Sequence, residues 1–289
     1  MSLSILSNDQ EIDAPEYYAG LWAKDFVSHD GSTPGSIEAL EAWDKKAPSF
    51  ARKLKRSGYI DQLIKLLDLN EDDTVFDMGC GSGTLSIPLA LAGHEVIAVD
   101  FSEVMLEELK RNADIAEADD HKIQVFQRSW QQPWDDLPTA DVIVSSRSFI
   151  TNDLEDAISK MESHGSKEAV VTLGAGDLPY RDSRIDELLG RNPQIMYPRS
   201  LSLFVGYLFA LGRLPRVEYI TYVGSWHKKT YEELCDSLIK IHCPMTIQEM
   251  DMLKGYLDAH IIYDEVNDFY RLDYDRLDQW GCVLWKIPQ

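Results

Sequence analysis

The residues best equipped for chemistry lie between positions 74 and 100. Asp77, Gly79, Gly81 and Gly83 fall within VFDMGCGSGTLS, and Asp100 closes the run EVIAVD, twenty-three positions after Asp77. Glycines alternating after an apolar run permit a sharp turn and let a ligand approach the backbone with no Cβ in the way. A helix starting near Gly83 would direct unpaired N–H groups and a partial positive charge at that turn, which suits a carboxylate or phosphate. Thr84 and Ser86 add hydroxyl donors. An acid at the tip of the next strand is placed to accept hydrogen bonds from ribose hydroxyls, so the two strand tips together read as the seat of one nucleoside.

Such a seat needs strands and helices in strict alternation, and the hydropathy pattern supplies it. Apolar runs at 74–79, 95–100, 122–128, 141–146 and 169–175 read as strands, with amphipathic helices over 83–92, 102–113 and 153–163. Later strands are expected at 217–223 and 281–287, separated by helical stretches at 230–240 and 246–259. The fold expected is α/β: a Rossmann-like, doubly wound, mostly parallel seven-stranded sheet with a helical N-terminal cap and helical insertions between the late strands. Residues 1–49, with Tyr17, Tyr18, Trp22, Phe26 and Trp43 among turn formers, read as the cap. Residues 50–289 read as the main domain, in which 176–215 interrupts the alternation as a substrate lid.

Two cofactor classes use a glycine-rich strand-to-helix turn. A dinucleotide fingerprint requires GxGxxG, whereas here the glycines run GCGSG, Asp77 stands two places before the first, and position 84 is Thr. FDMGCGSG resembles motif I of the class I S-adenosylmethionine-dependent methyltransferases, (D/E)xGxGxG, at every specified position. AVDFSEVMLEELK (98–110) is similar to that family's second-strand acid and following helix, and AWDKKAPSFA (42–51) to the WDxxAxxF segment that precedes many such domains. The resemblance implies S-adenosyl-L-methionine as cofactor, with Asp77, Gly79, Cys80, Gly81 and Gly83 beside its methionine portion, Asp100 on the ribose and Phe101 against the adenine. Ser129 and Trp130 occupy the family's adenine-contacting place, although many members carry Asp where Ser129 stands. Ser146, at the tip of DVIVSS, would lie near the sulfonium and the acceptor.

The acceptor side is less sharply written. Tyr17, Trp43, Arg147 and Tyr197 are the candidates for touching it: the aromatics as walls, the guanidinium as a clamp for a carboxylate or phosphate. Packing of the cap onto the core competes as a reading of the aromatics, and an ion pair competes for Arg147. Tyr180, Tyr207 and His227 are further hydrogen-bonding groups in or after the insertion. No catalytic base stands out, which direct displacement of a methyl group from a cationic sulfur permits. SSRSF replaces the (D/N)PPY of amino-methylating enzymes after the fourth strand, and Asp141 reads as a surface acid at a strand start. No metal site is expected.

Composition sets outer limits. Against 28 lysines and arginines stand 49 acids, a formal charge of −21, and that field disfavours nucleic-acid and anionic-membrane partners. Lys45, Lys46, Arg52, Lys53, Lys55 and Arg56 read as a solvated helix face within it. Four scattered cysteines read as reduced, buried thiols. The run 201–211 is too short to span a bilayer, and with no secretory signature at the N-terminus the cytoplasm is the expected compartment. The function expected is transfer of a methyl group to a small-molecule acceptor. An NAD(P)-dependent oxidoreductase and a non-catalytic S-adenosylmethionine-binding module are the alternatives.

Overall fold

The computed structural model describes residues 13–25, 33–51, 58–175, 182–191, 200–224 and 226–289. Its centre is a seven-stranded sheet in the order β3-β2-β1-β4-β5-β10-β6. The strands are β1 (Val75–Met78), β2 (Val96–Asp100), β3 (Ile123–Gln127), β4 (Ala140–Ser146), β5 (Gly165–Gly174), β6 (Arg216–Gly224) and β10 (Arg276–Lys286). β10 runs antiparallel to both neighbours, and the other ladders are parallel.

Strand burial explains the apolar runs. Every residue of β1 and β2 is buried, as expected for central strands covered on both faces, whereas edge strand β3 has no buried residue. One face is covered by α3 (Gly58–Leu67), α4 (Ser86–Leu91) and α5 (Glu103–Ile115), which contribute Leu63, Leu89 and Leu109 to its core. The other carries α1 (Ala14–Asp25), α6 (Leu154–His164) and α8 (Ser200–Ala210), with Trp22, Ile158 and Phe204 in one core with Trp285. α2 (Ile37–Ala51) lies against α5. Helix starts follow the usual chemistry: the Ser102 hydroxyl accepts from Met105 N–H ahead of α5, and Asp153 accepts from Asp156 N–H ahead of α6.

The expected alternation is found, with two differences. Residues 83–85 wind as turns, so the helix placed at 83–92 begins only at Ser86. The C-terminal part also holds a second, three-stranded sheet, in the order β7-β9-β8, formed by β7 (His227–Lys228), β8 (Ile261–Asp264) and β9 (Phe269–Leu272). These strands have at most four residues, too few for a period-two pattern to stand out. With α7 (Ser183–Leu188), α9 (Tyr231–His242) and α10 (Ile247–His260) they enclose a separate small core of Ile185, Leu234, Leu238, Leu253, Leu257 and Leu272.

The described parts of the 176–215 stretch therefore divide. α7 joins the small core, while α8 packs on α1 and the main sheet, so closely that a Cβ on Gly206 would collide with the Tyr18 ring. Tyr207 is a core residue. His227 sits exposed on β7 against Phe269. Asp141, expected as a surface acid at a strand start, is part-exposed near the start of β4 and braces the sheet there: its carboxylate accepts from Thr74 N–H at 3.0 Å and pairs with Lys167 at 3.1 Å. Of the cysteines, Cys80 and Cys282 are buried as expected, but Cys243 is exposed and Cys235 half-buried. Among the described residues no helix is long and apolar enough to cross a membrane.

Because the small core shares none of its buried residues with the sheet, Leu238→Ala should lower unfolding stability by roughly 2–5 kcal/mol. The sheet-borne site should be spared, so adenosyl-ligand affinity by calorimetry should change by less than about twofold, while urea unfolding shows the loss.

Candidate functional site

The turn between β1 and Ser86 opens a cavity at the carboxyl ends of β1, β2 and β4, where open α/β sheets hold ligands. Its floor is Asp77, Gly79, Cys80, Gly81, Ser82 and Thr84; Asp100, Phe101 and Met105 line it from β2 and α5. Arg128, Ser129, Trp130 and Gln131 follow β3, and Ser146, Arg147, Ser148 and Ile150 follow β4. Pro34, Gly35, Ala39 and Trp43 reach it from the cap.

Positive φ values explain two of the glycines. Gly79 has φ +78°, and a Cβ there would collide with Ser148, whose hydroxyl donates to Met78 C=O at 2.6 Å. Gly81, at φ +53°, has nothing within 4 Å of where a Cβ would stand. It is therefore bare backbone facing the cavity. Val99 C=O holds the turn, accepting from Gly79 N–H at 2.7 Å and Cys80 N–H at 3.0 Å.

Asp100 then ties the pieces together. One oxygen accepts from Gly81 N–H at 2.9 Å and the other from Ser102 N–H at 3.0 Å. A carboxylate offers about four lone-pair directions, so acceptor capacity remains for a ligand hydroxyl. The Ser102 hydroxyl donates in turn to Asp44 on α2 at 2.6 Å, fastening the cap beside the acid.

Electrostatics mark both acids as unusual. Burial pushes the Asp77 carboxyl up to about 7; the Ser86 hydroxyl, donating at 2.6 Å, works against the rise, and neighbouring Asp100 adds to it. Asp100 is pushed up to about 6, again by burial first, with the Ser102 and Gly81 amides opposing. Burial likewise lifts the Cys80 thiol, with both acids reinforcing it, so it stays protonated. Ser82 is buried in the lining, and its hydroxyl has no partner among the described residues.

Most of the expected residues meet here: Asp77, Gly79, Cys80, Gly81, Asp100, Phe101, Ser129, Trp130, Ser146, Trp43 and Arg147 all line the cavity. Two do not. Gly83, at φ +90°, is a packing glycine: a Cβ would stand 2.7 Å from Ile87 Cδ1 and 3.1 Å from Leu109 Cγ. Tyr17 is 54% exposed, its ring edge-on to Tyr18, because its helix gives the opposite side to the core through Trp22. Tyr197, like Tyr180, lies outside the described residues. Trp130 is chiefly a wall, its indole N–H spent on Ser148 C=O at 2.9 Å and its ring set against Phe149.

Sequence reasoning missed Arg128, Gln131, Ser148, Met105 and the Asp44–Ser102 clasp. A clue existed for the clasp, since Asp44 is the acid of the WDxxA segment; the others depend on loop paths that no local pattern encodes. Among the described residues, none of 176–215 lines the cavity.

A family model for a methyltransferase domain matches residues 75–167. An uncharacterised protein of Haemophilus influenzae is 32% identical over 253 residues, 86% of this chain and 89% of its own. A 23S rRNA (uracil(1939)-C(5))-methyltransferase of Pasteurella multocida is 31% identical over 75 residues, 26% of this chain and 17% of its own. Among solved structures, coclaurine N-methyltransferase bound to N-methylheliamine and SAH superposes with a TM-score of 0.52 at 13% identity, over 98% of this chain and 89% of that one. YcgJ of Bacillus subtilis does so with a TM-score of 0.50 at 14% identity, over 80% and 98%. Both likenesses are of fold.

A carboxyl raised on folding holds more protons in the folded than in the unfolded state between its two pKa values, here from 3.8 to about 7 for Asp77. Stability is therefore lost as pH rises through that window. The unfolding free energy of unliganded wild type should fall between pH 5 and 7.5 relative to Asp77→Asn, by on the order of 2–4 kcal/mol, and its melting temperature should fall with it. Parallel pH courses for the two proteins would contradict this.

Proposed function

Since the chain belongs to the class I S-adenosylmethionine-dependent methyltransferases, we propose that it methylates a small molecule received between cap helix α2 and the tips of β1, β2 and β4. The observation behind this reading is the shared lining: Pro34, Gly35, Ala39 and Trp43 line the same cavity as the glycine-rich turn, with the Asp44–Ser102 bond tying α2 to the start of α5. A cavity lined both by strand tips and by α2 suits a small acceptor better than a long polymer. The net charge of −21 points the same way, and the rRNA-methylating relative shares only a short core segment with this chain.

The residues present fit the cofactor. Gly81 offers bare backbone, Ser82 a buried hydroxyl without a partner among the described residues, and Asp100 a carboxylate with acceptor capacity to spare. In this reading Asp77, Gly79, Cys80 and Gly81 surround the amino-acid portion, Asp100 takes the ribose, and Phe101, Ser129 and Trp130 enclose the adenine. S-adenosylmethionine supplies a methyl group activated by a positively charged sulfur.

The protein's own contribution is position and exclusion of water. β4 ends in Ser146, whose hydroxyl is held at 2.9 Å from that of Tyr59, so the acceptor end of the cavity is pre-set by a buried phenol. Ile60, Trp43 and Ile150 keep the lining apolar. Among the described residues no histidine lines the cavity, and Cys80 is held protonated. The reading therefore has the acceptor atom attack in its nucleophilic form or shed its proton to solvent.

Calorimetric titration should show S-adenosylmethionine and S-adenosylhomocysteine binding to wild type, with NAD giving no heat. Asp100→Ala should lose about a hundredfold in affinity, because the ribose acceptor and the brace on the turn go together. Radiolabelled methyl from the cofactor should appear in the small-molecule fraction of an extract; label found only in macromolecules would refute the small-acceptor reading.

A further inference from the structure

Arg147 stands apart from the other charged groups of the cavity. Four described non-glycine residues have positive φ; Asp68, Glu117 and Asp268 are exposed, whereas Arg147, at φ +58°, is half-buried in the cavity lining. Such a backbone is uncommon outside glycine and persists only where its surroundings impose it. Here Thr172 of β5 does so, its hydroxyl accepting the Arg147 N–H at 2.8 Å.

The side chain is equally fixed, but not by a counter-charge. Its guanidinium lies 4.2 Å from the centre of the Tyr59 ring and 5.9 Å from that of Trp280. Tyr59 is itself held on all sides: fully buried, with its hydroxyl bonded to Ser146 at 2.9 Å and Thr172 at 2.8 Å. Cation–π stacking occupies the face of a guanidinium and leaves its N–H edges available.

Among the described residues no carboxylate pairs with Arg147, although the chain has 49 acids. The cavity's other arginine, Arg128, pairs with Asp136 at 2.7 Å, and Asp278, on the same strand as Trp280, is taken by Arg276 at 2.6 Å. A preorganised cation with no paired carboxylate among the described residues, at the tip of β4 and therefore on the acceptor side, is a receptor for an anion.

Resting on the methyltransferase reading above, we propose that the methyl acceptor is a carboxylic acid whose carboxylate is gripped by the N–H edges of Arg147 while its apolar body lies against Ile60, Trp43 and Ile150. The carboxylate is the handle and a different atom receives the methyl group. A planar monoanion matches the guanidinium fork in shape and charge. A dianionic phosphate would bring a second negative charge into a cavity already holding Asp77 and Asp100.

The test uses the full chain saturated with S-adenosylhomocysteine, titrated with benzoate, benzamide and phenyl phosphate and followed by saturation-transfer NMR. Wild type should bind benzoate roughly ten- to a hundredfold more tightly than benzamide, and more tightly than phenyl phosphate. Arg147→Met should erase the preference for the acid, and Arg147→Lys should keep part of it. S-adenosylhomocysteine affinity should change less than about twofold in either variant. Equal binding of acid and amide, no binding of either, or a preference unaltered in the variants overturns the proposal. Stronger binding of phenyl phosphate overturns the carboxylate assignment. A tenfold loss of S-adenosylhomocysteine affinity in folded Arg147→Lys would assign the arginine to the cofactor instead. Failure of wild type to bind S-adenosylhomocysteine at all would refute the broader reading of the site, which separates that failure from this one.

Discussion

The Asp100 carboxylate joins four parts of the chain that would otherwise meet only at their ends. It ends β2, accepts the Gly81 amide of the turn after β1, and accepts the Ser102 amide at the start of α5; through the Ser102 hydroxyl it is one bond removed from Asp44 on the cap. A buried acid is costly unless its oxygens are satisfied, and amide donors aimed at it supply that compensation. Its position follows from the parallel register of β1 and β2, in which Asp77 lies opposite Ala98 and Met78 opposite Val99. The geometry of the cavity is thus largely the geometry of two adjacent strands, read out by one side chain.

Much of this frame was legible in the residues themselves. Strands β1 and β2 are buried on both faces, so VFDM and VIAVD stand out as apolar runs, and each ends in an acid or a glycine turn that has few structural alternatives. Gly83 shows the limit of motif reasoning. It belongs to the same glycine series as Gly79 and Gly81, yet its missing side chain makes room for Ile87 and Leu109 and not for a ligand. Spacing along the chain cannot tell apart the two reasons for a glycine.

The small second sheet was invisible for another reason. Its strands are short and flank two helices whose own apolar residues, Leu234, Leu238, Leu253 and Leu257, point into a core assembled from distant segments. Nothing local distinguishes a helix that covers the main sheet from one that builds a neighbouring core. Tyr17 failed similarly: an aromatic in a cap segment reads as a pocket wall, but Trp22, five residues on, claims the inward face of α1 by packing against Phe149 and Phe204. Conversely, the sequence offered Arg147 both as an anion clamp and as an ion-pair partner, and what separates the two is three-dimensional: a stacking partner 88 positions upstream, Tyr59, and no paired carboxylate among the described residues.

The register of the last two strands of the main sheet has a consequence for how this chain can vary. Gly224, the end of β6, faces Arg276, the start of β10, so the intervening segment leaves and re-enters the sheet at a single point. It behaves as a closed excursion whose entrance and exit coincide, the arrangement in which insertions are most readily tolerated because no ladder is displaced by a change in length. That segment can therefore lengthen or shorten while the strand tips around Asp77 and Asp100 keep their places, so long as it still covers Ile185 and Leu189, which reach its core from outside it.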